Sequence, residues 1–174
     1  MKTLLFEHTN MVYQYQVSDW DAKKTNIKKY IDDNKFTRLD KFDCDKGNNN
    51  YRKEFSEIFH NELECFASEI HVSHIDITSV WCVKYQKGDW HIPHTHSTFG
   101  FSGVLYLDYD EQLHTGTFFI NQITNPITDE TDISYPTVKE GTITIAPSNV
   151  LHYTQPNQSD KIRSIIGFDL KLGR

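Results

Sequence analysis

Cysteine is scarce. The 174 residues hold three, Cys44, Cys65 and Cys82, scattered and without a CxxC pair, which excludes a disulfide framework and suits a reducing compartment. Long apolar runs are missing too. None approaches the roughly 20 residues that cross a bilayer, and Glu7 interrupts the Leu4-Leu5-Phe6 start before it could serve as a signal-peptide core. These absences lead us to expect a soluble cytoplasmic protein, or one of the host cytoplasm if virus-borne, with no membrane contact. Positive charge is also in deficit. With 18 Lys and Arg against 24 Asp and Glu the net charge is -6, which argues against duplex nucleic acid as a partner, because that affinity comes largely from neutralising phosphates. What is present is apolar and aromatic: 37% hydrophobic residues, with 11 Phe, 9 Tyr and 3 Trp, enough for one compact domain with a real core and incompatible with disorder. Nine histidines stand out, and His91, His94 and His96 fall close together.

The first part of the chain reads as helical after an extended start. Residues Leu4 to Val17 suit a strand or hairpin, and Ser18 suits the N-cap of a helix running to about Ile31. Residues 40–50 form a polar loop. A second helix follows, with Tyr51, Phe55, Ile58, Phe59, Leu63, Phe66 and Ile70 spaced by three and four along one core-facing stripe. From His74 the period becomes two and the composition β-branched and aromatic. The spacing predicts short strands at 74–86, 91–97, 101–108, 116–122, 133–139, 142–147, 150–155 and 161–171, parted by turns such as Gly88, Asn125-Pro126, Gly141 and Pro156-Asn157. The expected fold is mainly β with N-terminal helices. It is a single domain over 1–174, with 1–73 as helical support and 74–172 as a double-stranded β-helix, the cupin-like jelly roll.

His94 and His96, two apart on a predicted strand, would project from one face with Thr95 on the other. Alone, such a pair is weak evidence and reads more readily as two surface or hydrogen-bonded histidines. A second element changes the weighing: Gly141-Thr-Ile-Thr-Ile-Ala-Pro147-Ser-Asn-Val-Leu-His152, an apolar strand, a Pro turn and a histidine opening the next strand. In a jelly roll these two hairpins face each other at the open end, so His94, His96 and His152 could converge. Three neutral imidazoles suit Fe, Zn, Cu or Ni and leave positions open for a substrate or oxygen. Since protonated imidazole cannot ligate, metal affinity should fall below about pH 6.

The segments Tyr85-Gln-Lys-Gly88-Asp-Trp-His-Ile-Pro93-His94-Thr-His96, Ser102-Gly-Val-Leu-Tyr106-Leu-Asp108, Thr115-Gly-Thr-Phe-Phe119, Gly141 to His152 and Arg163-Ser164 together resemble the 2-oxoglutarate/Fe(II)-dependent dioxygenases, in their prolyl-hydroxylase-like and phage-type branch. The His94, His96, Gly141, Pro147 and His152 spacing is also similar to the two cupin motifs. The resemblance covers about residues 80–170. It implies Fe(II) held by His94, His96 and His152, with 2-oxoglutarate as co-substrate and O2 as oxidant, and hydroxylation of a C–H bond in a small molecule or protein side chain. One departure is plain: the family's second ligand is usually a carboxylate, where this chain has His96. That keeps two rivals in view, a three-histidine cupin-type metal enzyme without 2-oxoglutarate and a non-enzymatic jelly-roll binding module.

Arg163 lies in an apolar run with no obvious acidic partner, since Asp160 and Asp169 sit at its ends. A lone buried charge is costly. Its guanidinium fork suits the distal carboxylate of 2-oxoglutarate, and the resemblance places the co-substrate anchor there too; an edge-strand surface arginine is the plainer account. Ser164 comes one place earlier than the family's serine and should face the other side of the strand. Tyr85 and Tyr106 are core tyrosines on their own terms, while the resemblance adds co-substrate contact for a hydroxyl. His91, three before His94, should face away from the ligands and suits a rim or co-substrate role. His114 reads as a solvated turn residue, and His8, His60, His71 and His74 as structural. Asp43-Cys-Asp45 with Glu54 imitates a calcium loop out of register, and the Asn157-Gln158-Ser159 sequon carries no weight without secretion. A homodimer is open on this reading, and no residue identifies the substrate.

Overall fold

The apolar stripe after Tyr51 becomes two helices rather than one. In the computed structural model, which describes residues 12–33, 37–38, 51–124 and 127–173, α2 (Tyr51–Ile58) and α3 (His60–Glu69) meet at Phe59. The stripe stays continuous across the joint. The Phe59 N–H donates to the Phe55 carbonyl at 3.0 Å, and Leu63 donates to Phe59 at 3.0 Å, so Phe55, Phe59, Leu63 and Phe66 are all buried. Helix α1 spans Trp20–Asp33. Its start corrects the capping expectation: Asp19, not Ser18, gives its carbonyl to the Lys23 N–H at 3.1 Å. Ser18 is drawn elsewhere, its N–H and hydroxyl both bonding Glu62 Oε1 at 3.1 Å. The buried Glu62 carboxylate, itself 2.9 Å from Lys23 Nζ, outcompetes the helix end for that hydroxyl.

The strands are β1 (Tyr13–Gln16), β2 (Thr37–Arg38), β3 (His74–Tyr85), β4 (His91–His94), β5 (Phe101–Asp108), β6 (Thr117–Ile120), β7 (Ile133–Ser134), β8 (Thr142–Pro147), β9 (Leu151–Thr154) and β10 (Arg163–Gly173). They form two sheets, one ordered β1-β8-β5-β10-β3-β2 and one ordered β4-β9-β6-β7. That is the jelly roll, mainly antiparallel, with β2 parallel to β3. Several expected strands are shorter than the pattern suggested, 116–122 and 150–155 losing residues at both ends. The 133–139 segment pairs only at Ile133 and Ser134, as suits a run holding Pro136, which lacks the N–H a ladder needs. The 91–97 segment ends at His94, with its register broken between His91 and His94. The Leu4–Phe6 start, the polar loop 40–50, the calcium-like Asp43 to Asp45 and the Asn125-Pro126 turn lie outside the described residues.

Period-two alternation sorts the six-stranded sheet into two faces. Along β10, Ile166, Phe168 and Leu170 join Val80, Leu105, Ile143 and Ile145 against the helices, with Phe55, Phe59 and Phe66 across from them. On the alternate positions Ile165 packs with Trp81, Val83, Tyr85 and Tyr106 between the sheets. The helices thus cover one face of one sheet and leave the inter-sheet space to a cavity. Asp108 fastens the two layers, standing 3.2 Å from Lys24 and 2.9 Å from Lys28 of α1.

Candidate metal centre

Two adjacent strands of the four-stranded sheet and the turn after β8 bring the histidines together. β4 and β9 run antiparallel with His94 directly opposite His152. His96 lies past the end of β4, so strand alternation does not place it. Its backbone N–H instead donates to the Ser148 carbonyl at 2.9 Å, in the turn between β8 and β9. The ligand-capable atoms of His94, His96 and His152 all fall within 4.8 Å of one another.

The hydrogen bonds on the far side of each ring decide what the near side offers. His94 Nδ1 donates to the Ile92 carbonyl at 2.8 Å and His152 Nδ1 to the Val150 carbonyl at 2.9 Å, since a carbonyl can only accept. His96 Nδ1 faces Asp169 Oδ1 at 3.2 Å. With each Nδ1–H engaged, each neutral ring turns an Nε2 lone pair inward. Nε2 of His96 and Nε2 of His152 then lie 3.2 Å apart, close enough for both to reach one ion. Burial, followed by the neighbouring imidazole of His94, holds His152 down at about 3, and burial also lowers His94. His152 therefore stays neutral, and able to ligate, well below the pH of 6 expected from the sequence.

The cavity in front of them is lined by neutral residues apart from the histidines, among them Trp81, Tyr85, Thr117, Phe119, Thr154 and Ile165. His91 belongs to this wall and not to the opposite face, which corrects the sequence reading. The broken register at Pro93 turns it inward until its ring lies 3.9 Å from that of His94. Burial, then the charge on His94, lowers it to about 4. Tyr85 lines the cavity and is almost fully buried.

Arg163 is 2% exposed and sits behind Tyr85, its guanidinium 4.3 Å from the ring centre, which excludes the surface-arginine account. Nη1 donates to the Thr115 carbonyl at 2.5 Å and Nη2 to the Gln155 carbonyl at 3.3 Å, and no salt bridge to it occurs among the described residues. Tyr106 stands back from the cavity, donating to Thr117 Oγ1 at 3.1 Å and accepting from the Thr117 N–H at 3.0 Å. Ser164 faces the helices and donates to Asp108 Oδ2 at 2.5 Å. His114 is buried rather than solvated: Nδ1 accepts from the Asp110 N–H at 3.0 Å and Nε2 meets the Lys161 carbonyl at 3.1 Å. Asn157 of the sequon is likewise structural, its amide donating to the carbonyls of Tyr85 and Lys161.

Sequence reasoning passed over two residues. Asp169 reads in the sequence as a charge at the strand end, although it shares the β10 face of Arg163, Ile165 and Gly167, a period-two signal visible in the sequence. Trp81 stacks on His96 at 5.4 Å and 27°, and nothing in the sequence marks that contact.

The imidazole set fits a divalent transition metal on three grounds: converging lone pairs, oriented far-side nitrogens and open cavity space. Comparison with known proteins agrees on the fold. The chain is similar to the viral collagen prolyl hydroxylase of Paramecium Bursaria Chlorella virus-1 at 14% identity, covering 98% of this chain and 96% of that one with a TM-score of 0.59. It is similar to a prolyl-4-hydroxylase of Pseudomonas putida at 13% identity, over 95% of each chain and with a TM-score of 0.55. It spans only 55% of an oxidoreductase of the 2OG-Fe(II) oxygenase family from Burkholderia pseudomallei, covering 68% of its own length at 12% identity and a TM-score of 0.51. No curated protein matches the sequence. A sequence model of the family described as "Putative 2OG-Fe(II) oxygenase" matches residues 79–169, just over half the chain and the whole of the histidine-bearing core. On that match this protein belongs to the 2OG-Fe(II) oxygenase family.

Proposed function

We propose that the chain is an Fe(II)- and 2-oxoglutarate-dependent dioxygenase that hydroxylates a C–H bond, acting as a single domain in the cytoplasm on a small molecule or a protein side chain. The observation that carries this reading is the inward convergence of three imidazole lone pairs whose Nδ1 atoms are all engaged behind them. His94, His96 and His152 would hold the metal. Iron with 2-oxoglutarate and O2, when bound, supplies the oxidative decarboxylation that drives hydroxylation. The neutral, largely apolar walls keep water from the reacting centre. Arg163, a buried cation without a salt bridge among the described residues, provides the positive potential for the distal carboxylate of 2-oxoglutarate, and Tyr85, between it and the cavity, provides the contact surface. His91 borders the ligands on the open side. Among the described residues no helix is long and apolar enough to cross a membrane. A homodimer is compatible with this reading.

The test begins with metal analysis. His152→Ala should abolish stoichiometric iron uptake, while His60→Ala, at the exposed start of α3, should leave it intact. Iron-loaded wild type should decarboxylate 2-oxoglutarate. Arg163→Ala should keep its iron but bind 2-oxoglutarate more weakly by about 2–4 kcal/mol, the cost of truncating one partner of a buried charge pair. A second reading has one observation in its favour: two Arg163 nitrogens already serve backbone carbonyls. If the iron form neither binds nor decarboxylates 2-oxoglutarate, the 2-oxoglutarate reading falls, leaving a three-histidine cupin-type enzyme or a non-enzymatic jelly-roll binding module.

A further inference from the structure

The three imidazoles are not equivalent. His94 and His152 lean on backbone carbonyls, whereas His96 leans on a carboxylate. We propose that Asp169 is a positioning residue for the metal centre, supplying through His96 the negative charge that a direct carboxylate ligand would otherwise provide. The inference rests on the metal-site reading above.

The contact is built, not incidental. The side chains of His96 and Asp169 are only 9% and 14% exposed, so their interaction is screened less than a surface pair would be. The oxygen that faces His96 Nδ1 also accepts the Ser102 hydroxyl at 2.8 Å, and Ser102 Oγ lies 2.8 Å from Ser148 Oγ. Ser148 in turn accepts the His96 backbone N–H through its carbonyl. One connected group from β5, β10 and the β8–β9 turn thus fixes His96 at both its backbone and its ring. Trp81 closes the ring face, in room that exists because residue 167 is glycine: a Cβ there would overlap the indole. The ring is left one orientation, with Nε2 towards His152. A carboxylate hydrogen-bonded behind a ligating imidazole fixes its tautomer and raises its basicity. The centre as a whole then carries the single negative charge that His96, as a neutral ligand, does not bring.

Asp169→Asn separates charge from shape, because the Asn carbonyl oxygen can still accept from both His96 and Ser102. Divalent-metal affinity, measured by competition with a chelating dye for Zn(II) and Co(II), should fall about 10- to 100-fold, and the visible spectrum of the Co(II) form should shift, with circular dichroism unchanged. Affinity within about twofold of wild type and an unaltered Co(II) spectrum would overturn the proposal and assign Asp169 to fold stability alone. Should Asp169→Asn not fold, nitrogen-15 histidine spectra of Zn(II)-loaded wild type decide the matter. The His96 Nδ1 proton should lie downfield of those of His94 and His152, and a shift equal to theirs would defeat the proposal. Wild type that binds no metal, like His152→Ala, would refute the metal-site reading itself, an outcome distinct from metal-binding wild type matched by Asp169→Asn.

Discussion

At the scale of single residues, the metal centre depends on positions that do not themselves ligate the metal. Gly167 is the sharpest case. It lies opposite Trp81 in the β10–β3 ladder, and any side chain there must displace the indole that stacks on His96. Gly167→Ala should destabilise the fold by about 1–3 kcal/mol, as overpacking does, and should weaken metal binding by freeing His96. Thermal unfolding and a Co(II) titration on the same preparation check both effects; unchanged binding would show that the ring is held by Asp169 alone. Residue type and spacing pointed to His94, His96 and His152 only once the Gly141 to His152 segment stood beside the His94–His96 pair, since the pair alone suits hydrogen-bonded surface histidines. Spacing misjudged His91, since strand alternation assumes an unbroken ladder and Pro93 breaks it.

The elements divide the labour. The helices meet the outer face of the six-stranded sheet through Phe55, Phe59 and Phe66, with Phe66 wedged among Tyr13, Tyr15 and Phe101. The site lies on the other side of that sheet. Phe66→Ala should therefore cost about 3–5 kcal/mol of stability, as for large aromatic truncations in a core, yet leave iron stoichiometry at wild-type level in the protein that remains folded. Denaturant unfolding paired with metal analysis tests this; loss of iron from folded variant protein would mean that the helix layer sets the cavity's shape. The helices and the long strands were legible because an apolar period survives any packing arrangement. Where they end was less so. The α2–α3 joint, the Ser18 contact with Glu62 and the two-residue β7 are settled by partners far off in sequence.

Across the whole molecule, acid should destabilise the metal-free fold. Burial and neighbouring imidazoles hold His152 at about 3 and His91 at about 4, while an unfolded histidine takes up its proton near 6.5. The unfolded state therefore binds more protons below about pH 6.5, and stability falls from there until the folded values are reached. Asp108 adds to the trend at lower pH. Despite burial, which works to raise it, Lys28, Ser164 and Lys24 hold it at about 2, so its contribution is lost between the ordinary carboxylate range and that value. The urea midpoint of metal-free protein should be lower at about pH 5 than at about pH 7.5; equal midpoints would mean that the histidines protonate freely in the folded state. The sequence by itself determined the jelly-roll class, the order of its strands and the three histidines, because these follow from local period, turn chemistry and residue type. Only the tertiary structure decided that His91 turns inward, that Ser164 bonds Asp108 and that Asp169 reaches His96. Each of those depends on which strands become neighbours and where a ladder slips, and neither is encoded in the residues on one side of the contact.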